Sequence, residues 1–476
     1  MKKITIALLG LILVVSCKTD KEEVTENTIE KLAPVTPEIM ESAVIYEANI
    51  RQYSPEGTFN EFTKDIPQLK ELGVKIIWLM PVFPISETKR KATGGDFAYK
   101  IEDETERKKA LGSYYAVSDY AKINPEFGTI EDFRELLKTA HDNGIYVILD
   151  WVPNHTGWDH TWLKSNPEFY VKNSKGEITD PLNEDGTSKG WGDVAQLDYT
   201  NEAMQEAMLK DMLYWVEKEN IDGFRCDHVE PVPMTFWKKA IPKLGEKRSL
   251  FMLAENDKPR FMKDSLFDME YGWKAHHLMN AIAKGEKNVK DWDGLTGYLN
   301  EAYDTDDILM NFVTNHDENS WAGTVEERLG NATETMLALS FMTPGMPLIY
   351  SGQEYDMKHR LKFFEKDTIP KTKGKTWTIL EKLGKLKNSN PALNGGKKAA
   401  SYTRINTTND ENILAFERVK NGKKIIFIAN LSNKPVSFSI PITGDLKDYM
   451  NNSSELSLKE NEQLTFKPWE YKILVD

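Results

Sequence analysis

Eight near-continuously apolar runs of strand length, separated by segments with helical period, constrain this chain more than any other feature. They are VIYEANI from Val44, KIIWLMP from Lys75, IYVILDWV from Ile145, IDGFRCD from Ile221, LFMLAE from Leu250, LFDMEY from Leu266, ILMNFVTNHD from Ile308 and PLIYSGQE from Pro347. A strand that is apolar at successive positions has no wet face, so both its sides must be covered, as in a parallel sheet flanked by helices. The intervening segments supply those helices. Thr129 and Asp132 have capping-box spacing, Phe133, Leu136, Leu137 and Ala140 follow on one face, and Gly144 lies just beyond the last turn. A second helix is predicted over about 202–218, with Met204, Met208, Leu209, Met212 and Val216 on one side as core packing. Eight such units in series predict an α/β fold, a (β/α)8 barrel spanning 42–390.

Two excursions interrupt the alternation. Residues 86–113 form a charged loop after the second run, and residues 156–196, rich in Trp, Gly, Asn and Asp, follow the third and are long enough for an inserted subdomain. Both leave from C-terminal strand ends, where barrel enzymes build their sites. From about 395 to 476 the period changes to two, with ENILAFERV and KKIIFIANLS joined by Lys420-Asn421-Gly422-Lys423. An Asn-Gly pair between alternating runs is a hairpin signal, and this tail is predicted to be an antiparallel β domain.

The N-terminus has the pattern of an export signal. Lys2 and Lys3 precede an apolar run over 4–15, too short to span a bilayer. It ends Val14-Val15-Ser16-Cys17, which resembles a bacterial lipobox. The expectation is a signal peptide over 1–17, acylation of Cys17, a flexible charged tether over 18–41, and an exported protein held at the bacterial envelope by its lipid. Cys226 is the one other cysteine, expected to be a buried small hydrophobe. A net charge of −13 argues against a nucleic-acid partner, because nothing here would neutralise phosphates.

Polar residues gather where the apolar runs end. The third ends in Asp150, Asn154 and His155, the fourth in Arg225 and Asp227, the fifth in Glu255, and the seventh runs into Asn315, His316 and Asp317. In GFRCDHV, strand alternation places Arg225 and Asp227 on one face and Phe224 and Cys226 on the other. A guanidinium two residues from a carboxylate is expected to lower its pKa and keep it ionised, as a nucleophile requires. Carboxylates converging on one barrel mouth repel one another, which raises at least one pKa. One ionised and one protonated acid is the arrangement that glycoside hydrolysis uses.

At this point the chain resembles glycoside hydrolase family 13, the α-amylase family, over nearly everything after the tether. DWVPNH, GFRCDHV, the LAE of 253–255 and the TNHD of 314–317 match its four signatures, in order and on the right strands. The resemblance implies that Asp227 is the nucleophile, Glu255 the general acid and then base, and Asp317 a third catalytic carboxylate that binds hydroxyls of the reacting ring. It also implies that His155 and His316 donate to that ring, that Tyr115 stacks on it, and that Arg225 orients Asp227. Asp150 and Asn154 are expected to brace the barrel mouth. The paired roles imply a bell-shaped pH profile, with the acid limb set by Asp227 and the alkaline limb by Glu255.

Two departures stand out. Where many α-amylases have Lys-His shortly after the nucleophile, this chain has Glu230 and Pro231, and Gln196 stands where the family's second calcium carboxylate is expected. Asn154 leaves calcium binding open, but one amide plus carbonyls is a poor site for a cation that takes six to eight oxygens, so no cofactor is expected to be required. The resemblance implies retaining hydrolysis of α-glucosidic bonds, mainly α-1,4, in starch-like glucans or maltooligosaccharides. The alternatives are an α-glucosidase, a cyclomaltodextrinase-like enzyme, an α-1,6 hydrolase or a transglycosylating enzyme of the same family, or a non-catalytic glucan-binding lipoprotein. An early entry into the barrel, without an N-terminal β domain, weighs against cyclomaltodextrinase-like, pullulanase-like and branching members.

Overall fold

The eight apolar runs close on one another. In the computed structural model, which describes residues 32–476, they form a closed parallel barrel of eight strands. These are β1 (Val44–Ala48), β2 (Val74–Leu79), β3 (Tyr146–Trp151), β4 (Gly223–Cys226), β5 (Phe251–Ala254), β6 (Met269–Tyr271), β7 (Ile308–Asn311) and β8 (Met346–Tyr350). Each pairs with its sequence neighbour, and β8 closes on β1 through Ile45 opposite Leu348. The helices form as their caps dictate. Thr129 and Asp132 exchange the two bonds of a capping box at the start of Ile130–Asp142, whose Phe133, Leu136, Leu137 and Ala140 are all buried. In the helix Glu202–Glu217 the methionine stripe is buried, each large apolar side chain contributing about 1.5–3 kcal/mol of transfer free energy.

One close approach fixes the register that matters for the site. A Cβ on Gly223 would lie 1.9 Å from the Phe251 carbonyl oxygen, so β4 can lie against β5 here only as glycine. That contact sets Arg225 beside Leu253 and Cys226 beside Ala254, while on the other side Asp150 pairs with Arg225. Phe224 and Cys226 then face the apolar layer under the helices, where the thiol is free, buried and pushed far above its ordinary pKa by burial.

The excursion after β3 folds back on itself. His155–Gly157 pairs antiparallel with Val194–Gln196, and the short helix Thr161–Ser165 lies between them. Beyond the barrel, a six-stranded antiparallel sheet and a two-stranded ribbon make up the C-terminal β region. At its hairpin Lys420 faces Lys423, and Asn421 and Gly422 both take positive φ, +53° and +73°, as a type I′ turn requires. Alternation splits its long strand between two cores. Leu414 and Phe416 join the barrel's apolar cluster, while Ile413 and Ala415 join a second cluster with Phe438 and Phe466.

The expected tether does not extend to residue 41. Pro37–Ser42 is helical, capped by the Thr36 hydroxyl, and Val35, Met40 and Glu41 are buried. Apolar residues at 35 and 40 and a partner for Glu41 in Lys420 hold this stretch to the folded body. The expected signal peptide and Cys17 lie outside the described residues. Among the described residues, no helix is long and apolar enough to cross a membrane.

Candidate active site

Barrel geometry turns the ends of β3, β4, β5 and β7 toward one mouth. At its centre is Arg225, fully buried, and three carboxylates converge on it. Its Nη1 donates to Asp150 Oδ1 at 2.8 Å and to Asp227 Oδ1 at 2.9 Å. Its Nη2 lies 2.8 Å from Glu255 Oε1, an ion-pair contact without hydrogen-bond alignment. The Nε donates to the Tyr271 hydroxyl at 3.0 Å, and the guanidinium lies 4.9 Å from the centre of the Trp78 ring. Asp150 also accepts from Trp78 Nε1 and from the Tyr115 hydroxyl, each at 3.1 Å. Asp150 is thus enclosed, whereas Asp227 and Glu255 open onto the cavity.

That cavity has a volume of about 800 Å3. Its floor carries Asp227, Glu255, Asp317, His316, His155 and Tyr115, so the structure brings together every predicted catalytic and ring-binding residue except the buried Arg225 beneath them. His155 is neutral, pushed down to about 3 by burial first and then by His228 and Lys189. Asn154 is buried behind it, with its amide nitrogen 3.2 Å from His155 Nδ1. Asp317 is the most exposed of the three catalytic candidates, with its Oδ2 3.5 Å from His316 Nε2.

One expectation is reversed. Arg225 does not by itself hold Asp227 low. Burial, then the neighbouring Glu255 charge, push Asp227 well above the usual carboxylate range, and Arg225 offsets only part of this. For Glu255 burial also opposes the charge. Arg225 and the His228 backbone N–H, which donates to Oε2 at 2.8 Å, outweigh it and hold Glu255 below its ordinary value. The reason is the sharing of one guanidinium among three acids, which leaves the neighbouring Asp227–Glu255 pair to retain a proton.

The sequence reading missed Glu47. This glutamate on β1 is fully buried, and its Oε1 lies 2.5 Å from His316 Nδ1. Burial opposes the imidazolium, but Asp317 and Glu47 more than offset it, raising His316 to about 9. The available signal was a lone carboxylate inside VIYEANI, as conspicuous as the acids on the other strands. Also missed were the aromatic walls, Trp191 from the insert and Trp321, Phe363 and Phe364 from the segments after β7 and β8. Trp321 is 56% exposed, and nothing in its local sequence marks it as part of a wall.

The side chains near the expected calcium position have protein partners. Gln196 Oε1 accepts the Leu182 N–H at 3.0 Å, and the insert's buried Asp193 is paired with Lys91 at 3.1 Å. Among the described residues, no group of three or more His, Cys, Asp or Glu is placed to hold a metal ion.

The sequence profile of the alpha amylase catalytic domain matches residues 20–406. The chain belongs to the alpha-amylase family. Within that family it is 23% identical to the alpha-amylase MalA of Haloarcula japonica over 87% of its length, and 25% identical to a cyclomaltodextrin glucanotransferase of Geobacillus stearothermophilus over 83%. It spans 59% and 56% of those two relatives, little more than half of each. Among solved structures, the maltogenic alpha-amylase AmyB of Thermotoga neapolitana superposes with a TM-score of 0.79 at 26% identity, covering 91% of this chain and 98% of AmyB. An alpha-amylase of Lactobacillus plantarum gives 0.78 at 26%, covering 93% and 100%. These neighbours share the barrel together with the C-terminal β region.

Proposed function

We propose that this chain is a retaining glycoside hydrolase of α-glucans, acting mainly on α-1,4 bonds in starch-like polymers or maltooligosaccharides. The observation that carries this reading is the convergence of Asp227 and Glu255 on one guanidinium at the floor of the aromatic cavity. Carboxyls held on the two Nη atoms of one guanidinium suit the short separation of a retaining pair, about 5–5.5 Å, better than the roughly 6.5–9.5 Å at which an inverting pair holds its water. A sugar ring entering at the cavity floor presents its glycosidic oxygen to Glu255. The shared proton then passes to Glu255, which donates it to the leaving oxygen, while Asp227, left ionised beside Arg225, attacks the anomeric carbon. Water, deprotonated by Glu255, later releases the sugar from Asp227. Activity requires one proton on the pair, so a bell-shaped profile follows whichever oxygen carries it at rest.

In this reading the Tyr115 ring and His316 frame the reacting sugar, with Asp317 and His155 as hydroxyl partners, and Asp150 and Asn154 hold the mouth in shape. The donor set around Asn154 and Gln196 supports catalysis without calcium at that position. The glucanotransferases among the relatives favour a second activity, transfer of the bound glycosyl to a sugar acceptor instead of water. We further propose export and attachment to the envelope through a lipid on Cys17, which incorporation of labelled fatty acid into wild type but not Cys17→Ser would test.

Incubating residues 32–476 with maltoheptaose and following the anomeric form of the first products by NMR tests the central reading. An initial α-anomer is expected. An initial β-anomer, or no turnover of maltoheptaose, amylose or pullulan, would remove it.

A further inference from the structure

His228, the residue after the proposed nucleophile, has a φ of +42°, in the left-handed region that side chains other than glycine rarely occupy. That conformation aims its backbone N–H at Glu255 Oε2, 2.8 Å away. Something must hold His228 in this conformation, and the contacts come from the insert after β3. Lys189 Nζ lies 2.8 Å from His228 Nε2. The Trp191 ring meets the His228 ring edge-on at 5.2 Å, and Lys189 Nζ lies 5.1 Å from the centre of the Trp191 ring. An ammonium has only protons to give, so Nε2 must accept and the imidazole must be neutral. Burial, then Lys189, push the ring down to about 4, in keeping with that polarity.

We infer that Lys189 is a positioning residue of the inserted subdomain, which fixes the His228 ring so that its backbone N–H orients Glu255 toward the leaving oxygen. The inference rests on the reading of Glu255 as the general acid. It gives the insert a role in catalysis although it contributes no carboxylate to the reaction. It also ties the acid, and not the nucleophile, to the side of the cavity that Trp191 and His228 line.

The test separates positioning of the acid from general loss of structure by changing the leaving group. Maltotetraose needs a proton on its departing sugar, whereas α-maltotriosyl fluoride releases fluoride without one. For Lys189→Met, kcat/KM on maltotetraose is expected to fall roughly 10-fold and on the fluoride less than about 2-fold. Lys189→Arg, which keeps a donor, is expected to recover most of the loss. Equal losses on both substrates would reduce Lys189 to a structural role, and unchanged values on both would remove it from the mechanism; either overturns the inference. Glu255→Gln run in parallel keeps the two readings apart. In kcat/KM, which reports formation of the glycosyl-enzyme and not its hydrolysis by Glu255-activated water, it should lose maltotetraose cleavage and retain fluoride release; if it loses both alike the acid assignment itself fails.

Discussion

Two of the fully buried arginines, Arg418 and Arg225, have surroundings of opposite chemistry. Arg418, on the C-terminal sheet, donates only to carbonyls: Ser401 at 2.9 Å, Met342 at 3.0 Å and Asn394 at 3.0 Å. Burial pushes it down to about 10, still charged at neutral pH. Nearby Lys387 is likewise buried, and it donates to the carbonyls of Gly345 and Leu393. This junction is a clamp in which carbonyl oxygens give every nitrogen of the two cations a partner. Arg225 instead faces Asp150, Asp227 and Glu255, with Glu47 and Asp317 around the adjoining His316. Five carboxylates around two cations cannot all ionise, and that excess is what a proton-transfer site needs. Buried charge satisfied by carbonyls holds a structure together, whereas buried charge in surplus holds protons.

The sharpest way to break this comparison is to remove one acid from the surplus. Asp227→Asn is expected to lower kcat on maltooligosaccharides by about 10³-fold or more. Its thermal midpoint should stay level or rise, because one of three competing carboxylates is gone. A variant that lost stability in proportion to activity would place Asp227 in the clamp category. At the junction the pattern inverts. Arg418→Met strips three carbonyls of their donor and should cost about 3–5 kcal/mol in denaturant unfolding, with kcat/KM of the folded fraction unchanged.

The same contrast explains what was legible in the sequence. Hydrophobic run length identified all eight strands, and capping spacing and the Asn-Gly pair gave local geometry, because those signals act between near neighbours. Polar residues at strand ends marked the acids, because they oppose the burial of their own strands. What escaped depended on register and on distant segments. That Arg225 serves three acids follows from the pairing of β3 with β4 and β4 with β5, and no spacing along the chain encodes it. The partners of Arg418 are main-chain atoms, which carry no side-chain signature. Lys189 reaches His228 only through the folding of the insert, and the helix at Pro37–Ser42 was masked by charged neighbours in sequence.

A smaller effect comes from His316, whose pKa is raised from 6.5 to about 9 against the opposing effect of burial, by Asp317 and Glu47. The folded state therefore binds this proton more tightly than the unfolded chain. The stabilisation is complete below about pH 6.5 and is lost as the pH rises through about 9. Lys387 has the opposite sign. Burial, then Arg418, lower it, so the penalty it imposes is relieved as pH rises. The difference in thermal midpoint between wild type and His316→Gln should be widest near pH 6 and narrow toward pH 9.5. A difference independent of pH would mean that the ring is neutral throughout.

The smallest expected effect is that of chelation. Calcium takes six to eight oxygens, and carboxylates supply most of its binding energy. Around Asn154 the amide nitrogen faces His155, Gln196 has given its oxygen to Leu182, and Asp193 belongs to Lys91. Lys189, whose charge acts on His155 next to Asn154, adds a second cation to Lys91, which raises the local cost of a divalent ion further. Dialysis against EDTA should therefore leave kcat within about 10% and the thermal midpoint within about 1 °C of their starting values, and added calcium should restore nothing. A chelator-induced fall of several degrees, reversed by calcium alone, would show that the insert rearranges to free Asp193 from Lys91. The insert would then belong with the sites that hold surplus charge, not with the clamp.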